Sequence, residues 1–316
     1  MTQPLVQVKN LKKYFSVRNR VLKAVDNISI NIFPNETLGL VGESGCGKTA
    51  LARLLMGLYN PTSGNIFYKG KSIYSTLSKR RGTLFKEMQY IFQDPHGSLN
   101  PRMSAAEIIS EPLSIHYPEN KYDNYRKVID LMNMVGLNED YLTRYPHEFS
   151  GGQRQRIGIA RALALNPNFI VCDEPIAALD VSIQAQVINL LKSLQSKMGL
   201  TYLFISHDLA MVKYLSTRVA VMYLGHIVEI GFSASLYSSP LHPYTQALLS
   251  AIPIPDPIVE KTRKRLFIKG EVPSPLTPPK GCVFNTRCPK ATEKCFKVKP
   301  QLKKVSSGHK VACHVY

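Results

Sequence analysis

The sequence predicts an α/β protein with a mostly parallel sheet and a small cysteine-containing C-terminal extension. Three observations predict it. First, TLGLVGESGCGKTALARLLMGL reads as a buried strand, a glycine-rich loop and a helix in succession. Second, the short apolar runs FIVCDEP and YLFISHD flank a helical stretch, VSIQAQVINLLKSLQSKMG. Strands that alternate with helices imply a parallel sheet, because a crossover helix returns the chain for another strand in the same direction. Third, composition changes near residue 240, where SSPLHPYTQALLSAIPIPDP and then VPSPLTPP are rich in proline.

Bulk properties narrow the class. A chain of 316 residues can bury a large core, and 44% hydrophobic with 20% charged residues is globular rather than disordered. No run of about 18 apolar residues is present, so no segment is expected to span a bilayer. The opening MTQPLVQVKN lacks the basic-then-apolar order of a signal peptide, which predicts a cytosolic protein in which stable disulfides are disfavoured. The net charge of +18 predicts an anionic partner, whether nucleotide, nucleic acid or acidic lipid.

Taken in order, LVQVKNL and ISINIF are β-branched runs and read as strands. The helix after the glycine-rich loop places Leu51, Leu54, Leu55 and Leu58 on one face. Residues 101 to 165 read as mostly helical. Ile183, Val187, Leu190, Leu194 and Met198 form a stripe at helical spacing, the mark of a helix packed on a core. From residue 256 on, fourteen Lys or Arg face four acidic residues, so residues 241–316 read as a separate extension after a domain of residues 1–240.

GESGCGKT, residues 42 to 49, fits the phosphate-loop pattern G-x-x-x-x-G-K-[ST] without mismatch. Gly42, Gly45 and Gly47 permit backbone conformations that a side chain would obstruct. The N–H groups across Gly42, Glu43, Ser44, Gly45, Cys46 and Gly47 can then line an anion site, aided by the positive end of the following helix. Lys48 suits the β- and γ-phosphates and the Thr49 hydroxyl suits Mg²⁺. Cys46 reads as a small filler. The loop implies a nucleoside triphosphate.

FIVCDE sets Asp173 and Glu174 at the C-terminal end of an apolar strand, where ligands of such sheets bind. Asp173 suits the Mg²⁺ shell, mainly through water, and Glu174 suits polarisation of the attacking water.

HEFSGGQRQRIGIARAL, residues 147 to 163, resembles the signature segment of ABC-type ATPases, and the resemblance covers about residues 5 to 240. It implies a cassette with an antiparallel β subdomain and a helical subdomain at about 95–165. Gln93 in YIFQDP matches the Q-loop, Asp180 in AALD the D-loop and His207 in FISHD the switch histidine. Phe15, with Tyr14 beside it, stands where the family stacks an aromatic ring on adenine. The family works as a head-to-tail dimer, so Ser150, Gly151, Gly152 and Gln153 are expected to cap the γ-phosphate held by the other subunit. Gln93, Glu174 and His207 are the implied catalytic group. Phe149 stands where Leu is commoner, and PIAALD lacks two hydroxyls of the commoner PTSALD.

VGESGCGKT, FQDPHGSLNPRMS, DVSIQAQVINLL and SPLHPYTQALLSAIP resemble the oligopeptide/dipeptide importer ATPases, the second of the two paired subunits in particular. Nickel importers share most of these segments. The resemblance implies a homologous ATPase partner in a heterodimer, two transmembrane permease subunits, a substrate-binding protein, and peripheral attachment to the cytoplasmic face of the inner membrane. A nucleic-acid-associated ABC protein is the alternative of another class. One phosphate loop and one SGGQ in the chain argue against its translation-type members, so no direct nucleic-acid contact is expected.

Cys282, Cys288, Cys295 and Cys313 follow the spacing C-x5-C-x6-C-x17-C. Zinc, an iron–sulfur cluster and free thiols all remain open on the residues alone. Structural Zn²⁺ prefers closer pairs. A [4Fe–4S] cluster takes four thiolates, and Pro289 directly follows Cys288. Extensions that resemble GCVFNTRCPKA through VACH are associated with such clusters in peptide-importer ATPases, and this resemblance implies [4Fe–4S].

Overall fold

A computed structural model describes residues 3–76, 81–94, 96–253, 266, 268 and 270–316. Pro95 of FQDP and the last residues of SSPLHPYTQALLSAIPIPDP lie outside the described residues. The chain forms two compact units.

The unit of Leu5–Ile32, Thr37–Gly70 and His207–Tyr316 contains the phosphate loop. Strand Val6–Val17 pairs antiparallel with Arg20–Ile32 and with Ser63–Tyr68, placing Val8 opposite both Ile30 and Ile66. Val6, Val8, Ile28, Ile30, Ile32 and Ile66 are buried at alternate positions, as one face of a pleated sheet requires. This is the expected antiparallel β subdomain. Strand Thr37–Val41, buried at every residue, runs parallel to Arg218–Tyr223, with Leu40 opposite Ala220. Burial on both faces explains why TLGLV reads as a continuous apolar run rather than an alternating one. Gly39 is required in it, because a Cβ there would lie 2.6 Å from both Val212 Cγ1 and Ser216 Oγ.

Arg218–Tyr223 also pairs antiparallel with His226–Phe232, and the tail returns to that edge. Strand His309–Val311 pairs with it, Glu229 opposite Val311, and Lys303–Ser306 pairs with His309–Val311 in turn. The extension therefore lengthens the sheet of this unit.

The second unit, Met1–Pro4, Phe33–Glu36 and Lys71–Ser206, holds three parallel strands. Phe169–Asp173 lies between Met88–Ile91 and Thr201–Ile205, with Asp173 opposite Ile205. The parallel sheet expected from alternation is present. Helices Ala105–His116, Lys121–Met134 and Gly151–Leu163 form the helical region, burying Ile108, Ile109, Leu131, Met132, Ile157 and Leu163.

Two expected faces differ in detail. Leu51, Leu54 and Leu55 are buried, but Leu58 is 56% exposed. The helix ends at Leu55, and Gly57 at φ 65° turns the chain before Leu58. In helix Val181–Met198 the buried residues are Val187, Ile188, Leu191 and Leu194, while Ile183, Leu190 and Met198 lie at the margin. The apolar face is wide enough for two stripes, and the core contacts the one centred on Ile188 and Leu191.

Candidate active site

The phosphate loop closes around its own lysine. Lys48 is buried, and its Nζ donates to the carbonyls of Gly42 at 2.8 Å and Glu43 at 3.1 Å. Gly47, at φ 106°, precedes helix Lys48–Leu55, and a Cβ there would lie 2.0 Å from the Ala24 carbonyl. Gly42 is equally constrained, since a Cβ would lie 2.2 Å from the Met222 carbonyl. Only glycine fits where the loop threads past these backbones. Gly45 and Ser44 form the turn between them, and Thr49 is the second residue of the helix. Cys46 is buried, and burial raises its thiol pKa, consistent with a filler rather than a nucleophile.

Glu43 is held through both its backbone and its side chain. Its backbone N–H donates to Tyr244 Oη at 2.9 Å. Its carboxylate accepts two bonds from Arg287, Nη1 to Oε2 at 2.8 Å and Nη2 to Oε1 at 3.2 Å. Arg287 Nη1 also lies 3.3 Å from Tyr223 Oη. Behind this clamp, the rings of Tyr223, Tyr244 and Phe284 pack at centroid distances of 4.7 to 5.4 Å. Buried Glu229 ties the extension in place, accepting from Leu241 N at 2.8 Å, His242 N at 2.9 Å and His309 Nε2 at 2.7 Å.

On strand Val6–Val17, Phe15 packs edge-on against Tyr59 at 5.5 Å, and Lys13 Nζ lies 4.9 Å from its centroid. Tyr14 Oη donates to Asp26 Oδ1 at 2.7 Å. Burial, with that bond, pushes the Tyr14 hydroxyl up to about 12. Burial would raise the Asp26 carboxyl, but the bond from Tyr14 and the charge of Lys299 outweigh it and hold it below the ordinary range. Lys299 Nζ donates to Asp26 Oδ2 at 3.2 Å. His207 is exposed and precedes Asp208, whose carboxylate caps helix Leu209–Leu215 by accepting from Ala210 N and Met211 N.

In the other unit, Asp173 is buried at the strand end and accepts from Tyr90 Oη at 2.6 Å. Glu174 follows at φ 47°, unusual for a non-glycine residue, with its N–H bonded to the Ile205 carbonyl at 2.9 Å. Such a backbone costs about 1–3 kcal/mol and persists where the surroundings enforce it. Gln93 Nε2 donates to Glu174 Oε2 at 3.3 Å. The structure therefore brings together Gln93, Asp173 and Glu174, and adds Tyr90 to them.

Ser150 caps helix Gly151–Leu163. Its Oγ accepts from Gln153 N at 3.3 Å and its N–H donates to Gln153 Oε1 at 2.9 Å. SGGQ is thus a capping box, which explains the serine–glutamine spacing on local grounds. Gly152 lets this helix start against Ile183, whose Cγ2 would lie 2.4 Å from a Cβ. Asp180 caps helix Val181–Met198 through Ile183 N at 3.0 Å and accepts from Ser182 Oγ at 2.7 Å. Ser182 gives Asp180 a hydroxyl partner from its C-terminal side, although PIAALD itself has none.

In the tail, Cys282 and Cys295 are buried and Cys288 and Cys313 half-buried, with no disulfide among them. Cys282 N donates to the Cys295 carbonyl at 2.7 Å. Burial pushes the Cys282 thiol up to about 11, and the other three cysteines add to it. Burial also raises Cys288 and Cys313, each with a contribution from Cys295. Two polar atoms of this segment, Asn285 Oδ1 and Arg287 Nε, are buried without a protein partner. Among the described residues no group of three or more His, Cys, Asp or Glu is arranged to hold a metal ion. The structure therefore does not show the four-cysteine metal site expected from the sequence.

Tyr90, Tyr244 and Arg287 carry no sequence signal of their role. Tyr244 sits in the segment SPLHPYTQALLSAIP and Arg287 beside Cys288, and neither position by itself names a role.

Two family models match the chain. One, described as ABC transporter, covers residues 25–177, and the other, described as the C-terminal region of oligopeptide/dipeptide transporters, covers residues 228–295. The chain is 57% identical to YkfD of Bacillus subtilis (strain 168), over 99% of this chain and 96% of that one. It is 51% identical to the oligopeptide transport ATP-binding protein AppF of the same organism, over 99% and 98%. It is also 51% identical to the oligopeptide transport ATP-binding protein OppF of Escherichia coli (strain K12), over 97% and 92%. Among solved structures, the dimeric ATP-binding cassette MJ0796 in a post-hydrolysis state with ADP and Pi superposes with a TM-score of 0.65. The identity is 27%, and the match covers 72% of this chain and 98% of that one.

Proposed function

The chain belongs to the ABC transporter ATPases of the oligopeptide/dipeptide type, and from that premise we propose that it is the subunit whose ATP hydrolysis drives peptide import through partner permeases. The observation that carries the reading is the Gln93–Glu174 hydrogen bond beside buried Asp173, on a chain with an unbroken phosphate loop. The names of AppF and OppF favour peptides over nickel as the cargo.

Roles follow from the chemistry of each group. Phe15 offers a face to adenine. Backbone N–H groups from Gly42 to Gly47 and the Lys48 ammonium hold the phosphates. The Thr49 hydroxyl and Asp173 are oxygen donors, the type Mg²⁺ requires, and Tyr90 fixes the Asp173 carboxylate. When bound, Mg²⁺ neutralises charge on the phosphates. Glu174 accepts a proton from the attacking water, while Gln93 restrains its carboxylate. His207 serves the γ-phosphate. Ser150, Gly151, Gly152 and Gln153 present a capped helix start to the nucleotide of the partner ATPase, and Asp180 works across the same pairing. The test is Glu174→Gln, which should bind ATP, trap a closed dimer and lower turnover by about 10² or more.

The working assembly is a head-to-tail heterodimer with a homologous ATPase, docked on two permease subunits that receive peptide from a binding protein. No helix among the described residues is long and apolar enough to cross a membrane, so attachment to the cytoplasmic face of the inner membrane runs through the permeases. Basic side chains near anionic headgroups add about 1 kcal/mol each. Co-purification with permeases from membranes tests this, and a fully soluble chain in their presence contradicts it.

We also infer that Cys282, Cys288, Cys295 and Cys313 hold a [4Fe–4S] cluster, with Zn²⁺ as the alternative. Supporting this are four cysteines that form no disulfide and the partnerless buried Nε–H of Arg287 beside Cys288. A [4Fe–4S] cluster takes four thiolates, the number this tail supplies. Bound, it would cross-link a tail that buries little core of its own.

A further inference from the structure

We propose that Arg287, assisted by Tyr244, is a positioning residue for the phosphate loop, so that the C-terminal extension sets the affinity of the chain for ATP. This rests on the reading of the loop as an ATP site.

Glu43 links the extension to the lysine of the phosphate loop. Its carbonyl is one of two that hold the Lys48 ammonium. Its N–H and its carboxylate are held by Tyr244 and Arg287, both beyond residue 240. A shift of Glu43 therefore moves an acceptor of the lysine that serves the phosphates. The Arg287 side chain is 9% exposed and that of Glu43 25%, so the bidentate pair is shielded from the screening that weakens surface pairs. Gly42 and Gly47 permit the turn of the loop, and the clamp fixes one particular placement of Glu43 within it.

A second contact has the same direction. Lys299 of the extension donates to Asp26, and Asp26 accepts from Tyr14, the neighbour of Phe15. The extension thus bears on the phosphate loop and on the strand that carries Phe15. Both contacts stand close to the cysteines, Arg287 immediately before Cys288 and Lys299 four residues after Cys295. Glu229, gripped by His309 and by the N–H groups of Leu241 and His242, anchors the extension so that Arg287 has a fixed base.

The experiment measures equilibrium binding of a fluorescent ATP analogue to the full chain, and KM for ATP against kcat in the assembled transporter. Arg287→Met should raise Kd and KM about tenfold, equivalent to about 1.4 kcal/mol, with kcat within about twofold. Arg287→Lys, which keeps the charge but loses the fork, should fall between. Tyr244→Phe should raise Kd about threefold. In Arg287→Met/Glu43→Gln the second substitution should add little, because the pair is already broken. Unchanged Kd in both Arg287→Met and Tyr244→Phe overturns the proposal, as does a loss confined to kcat. Should Arg287→Met fail to fold, Tyr244→Phe decides alone. Wild-type protein that binds no ATP would overturn the parent reading of the loop instead.

Discussion

Gln93 Nε2 lies 3.3 Å from Glu174 Oε2, joining residues 81 positions apart in sequence. Glu174 is held at φ 47° by its strand-end position, and Gln93 restrains the carboxylate that this backbone presents. An amide that bonds the base keeps it oriented without changing its charge. Gln93→Ala should lower kcat about tenfold, on the scale of one lost hydrogen bond to a charged group, while ATP binding holds. Steady-state ATPase kinetics of the assembled transporter check it.

Tyr90 holds Asp173 at 2.6 Å from within the same unit. Tyr90→Phe removes the donor and keeps the ring. The Mg²⁺ concentration for half-maximal ATPase should rise about tenfold, the scale of lost outer-shell partners, with activity regained at high Mg²⁺. A loss that Mg²⁺ cannot restore contradicts the assigned role.

Ser150 has two separable tasks. Its Oγ caps helix Gly151–Leu163, and it is assigned to the γ-phosphate of the partner ATPase. Ser150→Asp retains a good cap but sets a negative charge toward phosphate. Its thermal stability should match wild type while ATPase activity falls by more than about 10², the scale of a lost transition-state donor. Ser150→Ala should cost about 1 kcal/mol of stability as well.

Acid should weaken the extension's anchor. Burial lowers His242 to about 4, and burial with the Lys299 charge lowers His226 to about 4. Both are therefore neutral when folded, and His242 Nδ1 accepts from Tyr244 N at 3.1 Å. Between pH ~6.5 and pH 4 the unfolded chain binds more protons than the folded one, so stability falls as pH falls through that window. Each histidine contributes up to about 1.4 kcal/mol per pH unit there. Urea unfolding at pH 7 and pH 5 should show the loss, and His242→Gln should reduce it.

What was legible in the sequence was local. GESGCGKT, the Asp173–Glu174 pair and SGGQ each declare themselves within a few residues, because a loop, a strand end and a helix cap are short-range objects. The parallel strands were legible from their unbroken apolar runs. Leu58 departs from the expected face because helical spacing continues in the sequence past the helix end, where Gly57 turns the chain. Arg287, Tyr244 and Tyr90 were not legible as site residues, since their partners lie 244, 201 and 83 positions away. The tail strands were hidden as well. In Lys303–Ser306 every residue is exposed, so no hydrophobic alternation marks it.

The cysteine reading has its own check. Anaerobically purified protein should contain about four irons and four sulfides per chain, and Cys288→Ser should lose them. Stoichiometric zinc without iron would replace the cluster with its alternative.

The most direct test of the whole account is ATP-dependent uptake of a labelled oligopeptide into proteoliposomes holding the permeases, both ATPase subunits and binding protein. The account predicts uptake with the wild-type chain and a fall of about 10² or more with Glu174→Gln, although that variant still binds ATP. Uptake by the Glu174→Gln assembly at the wild-type rate, or its absence with wild type despite ATP hydrolysis, would contradict the account.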